Sequence, residues 1–181
     1  AILHHWGEEY LRNEDAVYGV VVNDLAYEMG FRNGDRILSF DGKEIDNFAE
    51  IQIALAHSQA ESAEVVRDGD TIRIPLDESY ISRILNSPGM FLPAYPFEVK
   101  ELAEGSINLS SGIAPGDRVV AVDSVGMFLV HDIQKALKSH ASDSVTLTVE
   151  RDGCTSDIAM AVDTAGMIEV LLENDLTKFF K

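Results

Sequence analysis

One cysteine in 181 residues leaves no partner for an intrachain disulfide. Cys154 follows a turn and reads as a packed or strand-edge side chain with no reactive role. A single cysteine suits cytosol and periplasm alike. Basic side chains are also scarce: 14 Lys and Arg stand against 31 Asp and Glu, a formal charge of −17. That balance opposes binding to DNA, RNA or an anionic membrane surface, and describes a well-solvated exterior. No apolar run approaches the roughly 18–20 residues that a membrane span needs. The opening AILHHWGEEYLRNED has no basic segment followed by an apolar core, so no signal peptide is expected there. It has no initiator Met, and the last residues are LTKFFK; both ends are expected to be cut from a longer protein.

The motifs of common chemistries are missing as well. There is no G-x-G-x-x-G, no G-x-x-x-x-G-K-[ST], no H-E-x-x-H and no C-x-x-C. Ser, His and Asp residues are scattered, with no pattern that assembles a hydrolase triad. No catalytic residue, metal ligand or cofactor site is expected within the chain. Hydrophobic content of 46% and charged content of 25% fit an ordinary globular protein.

What the chain does have is a repeat. GFRNGDRILSFDG at 30–42 returns as GIAPGDRVVAVD at 112–123. Gly30, Gly34, Asp35, Arg36 and Asp41 match Gly112, Gly116, Asp117, Arg118 and Asp123, each 82 positions on. Arg67-Asp68-Gly69 recurs as Arg151-Asp152-Gly153. A self-match of this kind fixes the architecture as two copies of one small domain.

In order, residues 1–16 form a lead-in with the spacing of a short amphipathic helix or strap. Its adjacent His4 and His5 point apart on a helix or a strand and read as exposed or capping residues. Val17–Val22 predicts a buried strand, with Gly19 as a bulge or a close backbone approach. Asn23-Asp24 caps a short helix that stops at Gly30. Asn33-Gly34-Asp35 makes a turn, Arg36–Phe40 a strand, and Asp41-Gly42 a hairpin turn. An amphipathic helix follows over Phe48–His57, then two strands, Ala63–Arg67 and Thr71–Leu76. Residues 77–96 hold Pro88, Pro93 and Pro96, with Pro75 just before them, and read as a semi-rigid linker. Ser79–Asn86 within them has the pattern of a helix. The second copy predicts a strand at Phe97–Leu102, a short helix at Ser106–Gly112, a strand at Arg118–Val122, a helix at Val130–Ser139 and a hairpin of Val145–Glu150 with Thr155–Val162. An apolar stripe, Met167 to Leu172, predicts that the tail packs or meets a membrane. Asp35, Arg36, Asp117 and Arg118 read as turn caps and a strand-edge ion pair.

The order strand, short helix, G-x-x-x-G-D-R, strand, turn, amphipathic helix, hairpin resembles the bacterial type of PDZ domain. The fold class implied is α+β: two PDZ-like domains in tandem, each a small partly open β-barrel or sandwich capped by helices. The first domain is expected at 17–76, the linker at 77–96, the second domain at 97–164 and a membrane-proximal tail at 165–181. A PDZ fold takes an extended peptide as an added strand beside its long helix. The resemblance then points to Val20, Val21 and Val22 with Phe48, Ile51, Gln52 and Leu55 as one groove. Phe97 and Val99 with Val130, Ile133, Gln134 and Leu137 form the other. Tyr18-Gly19-Val20 is the nearest match to the loop that binds a C-terminal carboxylate, and the second copy has none. A permuted strand order would also explain that absence.

The whole chain is similar to the periplasmic tandem-PDZ region of bacterial site-2 proteases, the RseP-like intramembrane zinc metalloproteases of Bacteroides type. WGEEYLRNEDAVYGV and MIEVLLENDLTKFFK resemble the segments leaving and regaining the membrane. The resemblance implies a non-catalytic, periplasmic regulatory module of an inner-membrane hydrolase. Zinc would be held in an absent catalytic part. The module would gate or position a pre-trimmed membrane substrate of the anti-sigma-factor type, in a stress response. The expected partners are that substrate or its cleaved tail and the parent's transmembrane domain, with no nucleic acid. The alternatives are the PDZ pair of an HtrA-like serine protease and a free-standing scaffold that binds peptides.

Overall fold

Both Gly-Asp turns feed a short, largely apolar strand, and both strands end up in the same place in equivalent units. The computed structural model describes residues 2–5, 8–175, 178 and 179; side chains are described from residue 10 onward. The chain divides into two units, 1–94 and 95–176, with Lys178 and Phe179 counted in the first.

The first unit opens with a hairpin of β1 (Ile2–His5) and β2 (Glu8–Leu11), not the helix that the lead-in's spacing suggested. Trp6 and the side chains of His4 and His5 lie outside the described residues. Then come β3 (Val20–Val22) and α1 (Asp24–Met29), whose Ala26 N–H donates to the Asn23 side chain at 2.9 Å. A four-stranded antiparallel sheet follows from β4 (Arg36–Phe40), β5 (Lys43–Glu44), β6 (Ser62–Arg67) and β7 (Asp70–Pro75), in the order β5-β4-β6-β7. Between β5 and β6 lie one turn of 3-10 helix and α2 (Ile51–His57).

Residues 77–94 are not a linker. They form α3 (Ile81–Leu85) and β8 (Phe91–Pro93), and β8 pairs antiparallel with β3, Val21 opposite Leu92. The physical reason is the backbone of β3. A buried strand with an unpaired edge strands its polar groups, and Met90 and Phe91 bring apolar side chains that complete the core. Phe91 packs edge-on against Phe31 with ring centroids 5.1 Å apart. Pro93 costs the sheet nothing, because it ends an edge strand where no N–H is required.

The second unit repeats this plan with β9 (Val99–Leu102), β10 (Arg118–Val122), β11 (Val125–Gly126), α4 (Val130–Lys138), β12 (Ser144–Arg151), β13 (Cys154–Ala161) and β14 (Val170–Leu172). The large sheet runs β11-β10-β12-β13, and β14 pairs antiparallel with β9. The segment 165–172, read as part of a tail, therefore belongs to the second fold. The first small helix does not recur: 106–112 is a series of turns. There Asn108 is buried, and its side chain bonds Ala161 and Ile168. An Asn and three Ser in that stretch offer side-chain hydrogen bonds that compete with a helix. Both β4 and β10 carry a register shift at the same repeat position, between Ile37 and Ser39 and between Val119 and Ala121.

Each unit has its own core. Phe31, Ile37, Ile51, Val65 and Met90 are among the fully buried side chains of the first, and Val99, Val119, Ile133, Leu147 and Met160 of the second. Burying one such side chain contributes about 1.5–3 kcal/mol. No helix among the described residues is long and apolar enough to cross a membrane.

Candidate functional site

The repeat motifs meet in space. Asp35 has no solvent exposure and receives Arg67 Nε and Nη2 at 2.8 Å each, with Arg32 N–H at 2.8 Å. Asp117 does the same with Arg151, at 2.6 Å twice, and with Ala114 N–H. Each Asp caps its turn, as the sequence implied, but its ion-pair partner is the Arg of the distant Arg-Asp-Gly hairpin. Arg36 and Arg118 do not take that role. Burial raises the Asp117 carboxyl's pKa, but the Arg151 guanidinium and the Ala114 N–H more than offset it, leaving the net value below the ordinary one. A depressed folded-state pKa contributes stability that is present above the unfolded value near 3.9 and lost as pH falls through the folded value. Asp117→Asn is therefore expected to flatten the acid limb of the second unit's stability below about pH 4. Urea unfolding monitored by second-unit amide signals across that range checks it; an unchanged slope would discard the linkage.

These clasps decide which strand faces a ligand. Val20 N–H donates to Asp35 O at 2.9 Å, and Gly34 N–H donates to Val20 O at 2.8 Å. The other edge of β3 is covered by β8. Likewise Val99 N–H donates to Asp117 O at 2.8 Å, Gly116 N–H donates to Val99 O at 2.7 Å, and β14 takes the other edge. Val20–Val22 and Val99 are thus sheet interior, not the free edge proposed from the sequence. Gly19 serves packing: a Cβ there would sit 2.4 Å from Asp35 O and Gly34 O. Tyr18-Gly19-Val20 is a close backbone approach and not a carboxylate loop.

The strand that lies at the sheet edge comes after the closing hairpin in each unit, so the strand order is permuted. It is introduced by a second, shorter repeat: Pro88-Gly89-Met90-Phe91 and Ala165-Gly166-Met167-Ile168. Sequence reasoning missed this pair because one copy lay among prolines and the other in an apparent tail. The shared Gly-Met-apolar tripeptide after each hairpin was the available signal.

In the second unit the loop and β14 border a hollow of about 280 Å³ against α4. Phe97, Gln134 and Leu137, three of the candidates from the sequence, line it with Lys138 and the 165–170 segment. Val130 and Ile133 are core. Gly166 is pressed on α4, where a Cβ would meet Lys138 Cα at 2.7 Å. In the first unit the counterpart residues Gln52, Ala56, Pro88 and Gly89 border a hollow of about 320 Å³ beside α2, with Ile84 and Leu85 of α3 in its wall. Gln52, the counterpart of Gln134, donates to Ile84 O at 3.0 Å and Ser87 O at 2.6 Å, and accepts from Met90 N–H at 3.1 Å. Ile84 of α3 is buried, and beside Leu55 only about 20 Å³ remains. Arg83 ties α3 to α1 through Glu28 at 2.7 Å. Phe48, Ile51 and Leu55 are core. Hollows of about 390 Å³ and 330 Å³ elsewhere in the first unit are larger, but they border β5, a two-residue strand of Lys43 and Glu44 too short and charged to template another strand.

Gln52→Ala is expected to loosen α3 without unfolding the unit, because it removes three bonds that hold the Ile84–Met90 segment. Amide exchange of residues 84–90 should quicken about tenfold or more, as about 1.4 kcal/mol of local opening energy is lost. Unchanged exchange would show that packing alone holds the segment.

Among the described residues no cluster of His, Cys, Asp and Glu could hold a metal ion. A strand edge beside an amphipathic helix defines a domain that binds by strand addition. The PDZ domain model matches residues 17–67 and 98–151, more than half of the chain, and the chain belongs to the PDZ domain family. It is a PDZ-domain peptide-binding module, and the domains themselves are non-catalytic.

Among curated proteins, it is 26% identical over 174 residues to a protein of Chlamydia pneumoniae described as a DegP-like periplasmic serine endoprotease, covering 81% of this chain and 36% of the relative. It is 25% identical over 155 residues to a protein of Neisseria meningitidis described as a zinc metalloprotease, covering 77% of this chain and 34% of the relative. The chain thus spans about a third of the length of the curated relatives it matches. Among solved structures it is similar to the PDZ domain of an SdrC-like protein from Listeria monocytogenes, at 15% identity and a TM-score of 0.38, covering 45% of this chain and 90% of that one.

Proposed function

We propose that the chain is the non-catalytic tandem-PDZ regulatory module of an RseP-like site-2 zinc metalloprotease, placed on the periplasmic side of a bacterial inner membrane. It gates or positions a membrane substrate that another protease has already trimmed, of the anti-sigma-factor type, in intramembrane proteolysis that drives a stress response. The zinc and its ligands belong to the parent's membrane part. The observation that carries the reading is the edge strand and hollow of the second domain. β14 and the hollow beside α4 offer a place for a segment of substrate, while in the first domain Gln52 bonds the segment before β8 to α2. The similarity to a zinc metalloprotease over 77% of the chain supports it. The DegP-like relatives, at 26% and 24% identity, favour a second reading, the PDZ pair of a serine protease.

The coding sequence on either side separates the two. Flanking apolar spans with H-E-x-x-H support the first, and an upstream G-x-S-x-G supports the second. Gating itself has a direct test in the parent protein. Excising the module should raise cleavage of substrate that still carries its folded ectodomain. Unchanged cleavage of that substrate would rule gating out.

A further inference from the structure

We propose that the groove of the second domain takes an internal, extended segment of a protein and does not read a free C-terminus. The inference rests on the peptide-capture reading and names the ligand class of that site.

A terminal carboxylate is held by backbone N–H groups at the end of a groove, which requires those donors to be available and the surroundings not to be negative. In the loop that precedes β14 three successive donors, the N–H groups of Ala165, Gly166 and Met167, are already used. Asp163 Oδ1 accepts from Ala165 N–H at 2.9 Å and from Met167 N–H at 2.8 Å. Its backbone carbonyl accepts from Gly166 N–H at 3.1 Å. The carboxylate of Asp163 thus already takes two of the loop N–H groups that a ligand's carboxylate would need. A second carboxylate there meets a like charge and finds its donors occupied.

The remaining lining does not compensate. Lys138 and Glu169 are the charged residues in the wall, one of each sign, so with Asp163 the loop end is net negative. Glu169 Oε2 is engaged by Ile107 N–H at 2.7 Å. What the groove does offer suits a chain passing through. Among the described residues β14 is an edge strand, paired with β9 on one side. Phe97, Leu137 and Ile168 give the hollow an apolar floor, and about 280 Å³ accommodates one or two apolar side chains. Backbone pairing along β14 supplies affinity without any terminal charge. A substrate segment that continues beyond both ends of the groove meets no obstacle of charge at the loop.

The test uses a random peptide library selected against the 181-residue chain in two formats, with the random segment internal or at the C-terminus. Enriched sequences are then made with free-acid, amidated and extended ends, and Kd is measured by fluorescence anisotropy. The expected result is enrichment in the internal format, with amidation or extension changing Kd by less than about twofold. Loss of about tenfold or more on amidation would overturn the inference while leaving peptide capture intact. Enrichment in neither format would overturn both. Asp163→Asn keeps an oxygen for the two N–H groups and removes the charge. It should raise affinity for free-acid ends several-fold and leave amidated peptides unchanged. Equal effects on both ends would argue that Asp163 acts only on loop structure.

Discussion

Asp35→Ala is expected to destabilise the first unit by about 3 kcal/mol or more, since removing one partner of a buried ion pair leaves the other uncompensated. Asp35 is fully buried, whereas Arg67 keeps 28% of its side chain exposed, which holds the cost toward the lower end. The change also frees Arg32 N–H, and it leaves Arg67 Nη2 with the carbonyl of Gly30 at 2.9 Å. Denaturant unfolding followed by first-unit amide signals measures the effect. Arg36→Ala, on the adjacent residue, should change stability by less than about 0.5 kcal/mol. A double-mutant cycle of Asp35→Ala with Arg67→Ala should give a coupling above about 1 kcal/mol. Simple additivity would refute the clasp between the two repeated motifs.

Gly19→Ala is expected to cost the first unit about 3 kcal/mol or more, from strain and forced backbone displacement together. The residue has φ of +78°, and an added Cβ would sit 2.4 Å from two carbonyl oxygens, those of Gly34 and Asp35. Those atoms are backbone, so no side chain can swing aside. Moving them breaks the bonds by which Val20 and the turn close one edge of β3. Amide exchange at Val20 and Gly34 should therefore rise together. Gly116→Ala is the control: φ there is +90°, but nothing lies within 4 Å of the added carbon. It should cost only about 1–2 kcal/mol, the penalty of the left-handed region alone. Equal costs at both glycines would show that strain, not close approach, explains Gly19.

The second groove depends on Gly166 in the same way. Lys138 Cα lies in the path of any Cβ, so Gly166→Ala should push the loop off α4 and weaken peptide binding about tenfold or more. Retained affinity would mean that the loop does not set the groove.

The local elements were legible where the pattern is local. Arg36–Phe40 and Arg118–Val122 are strands with the expected ends, because a short apolar run between a Gly-Asp turn and an Asp-led turn is too short for a helix. Asn23 caps α1 because its side chain reaches an N–H three residues on. The repeat was equally plain, since it is written in identical residues. At 106–112 local reasoning failed: the Gly-terminated pattern implied a helix, and Asn108 instead spends its side chain on β13 and the segment before β14.

The sites depended on pairings that no local pattern encodes. Gly30 to Asp41 and Arg67 carry the repeat, yet only the fold brings Arg67 to Asp35 across 32 positions. Residues 77–94 and 165–172 looked like connection and tail because prolines and an apolar stripe have no period of their own. They contribute β8 and β14 because β3 and β9 each have an edge to be covered and a core to be completed. Gln52 and Gln134 stand at the same position of the repeat and differ in role because unlike segments come after the two hairpins. Both line a hollow, but Gln52 also holds α3 and Ser87 through hydrogen bonds. The sequence by itself determined two PDZ domains and their turns, since these depend on residue types at short range. How each groove is walled and which loop donors are taken was decided by tertiary structure, because both depend on backbone groups that meet only once the chain has folded.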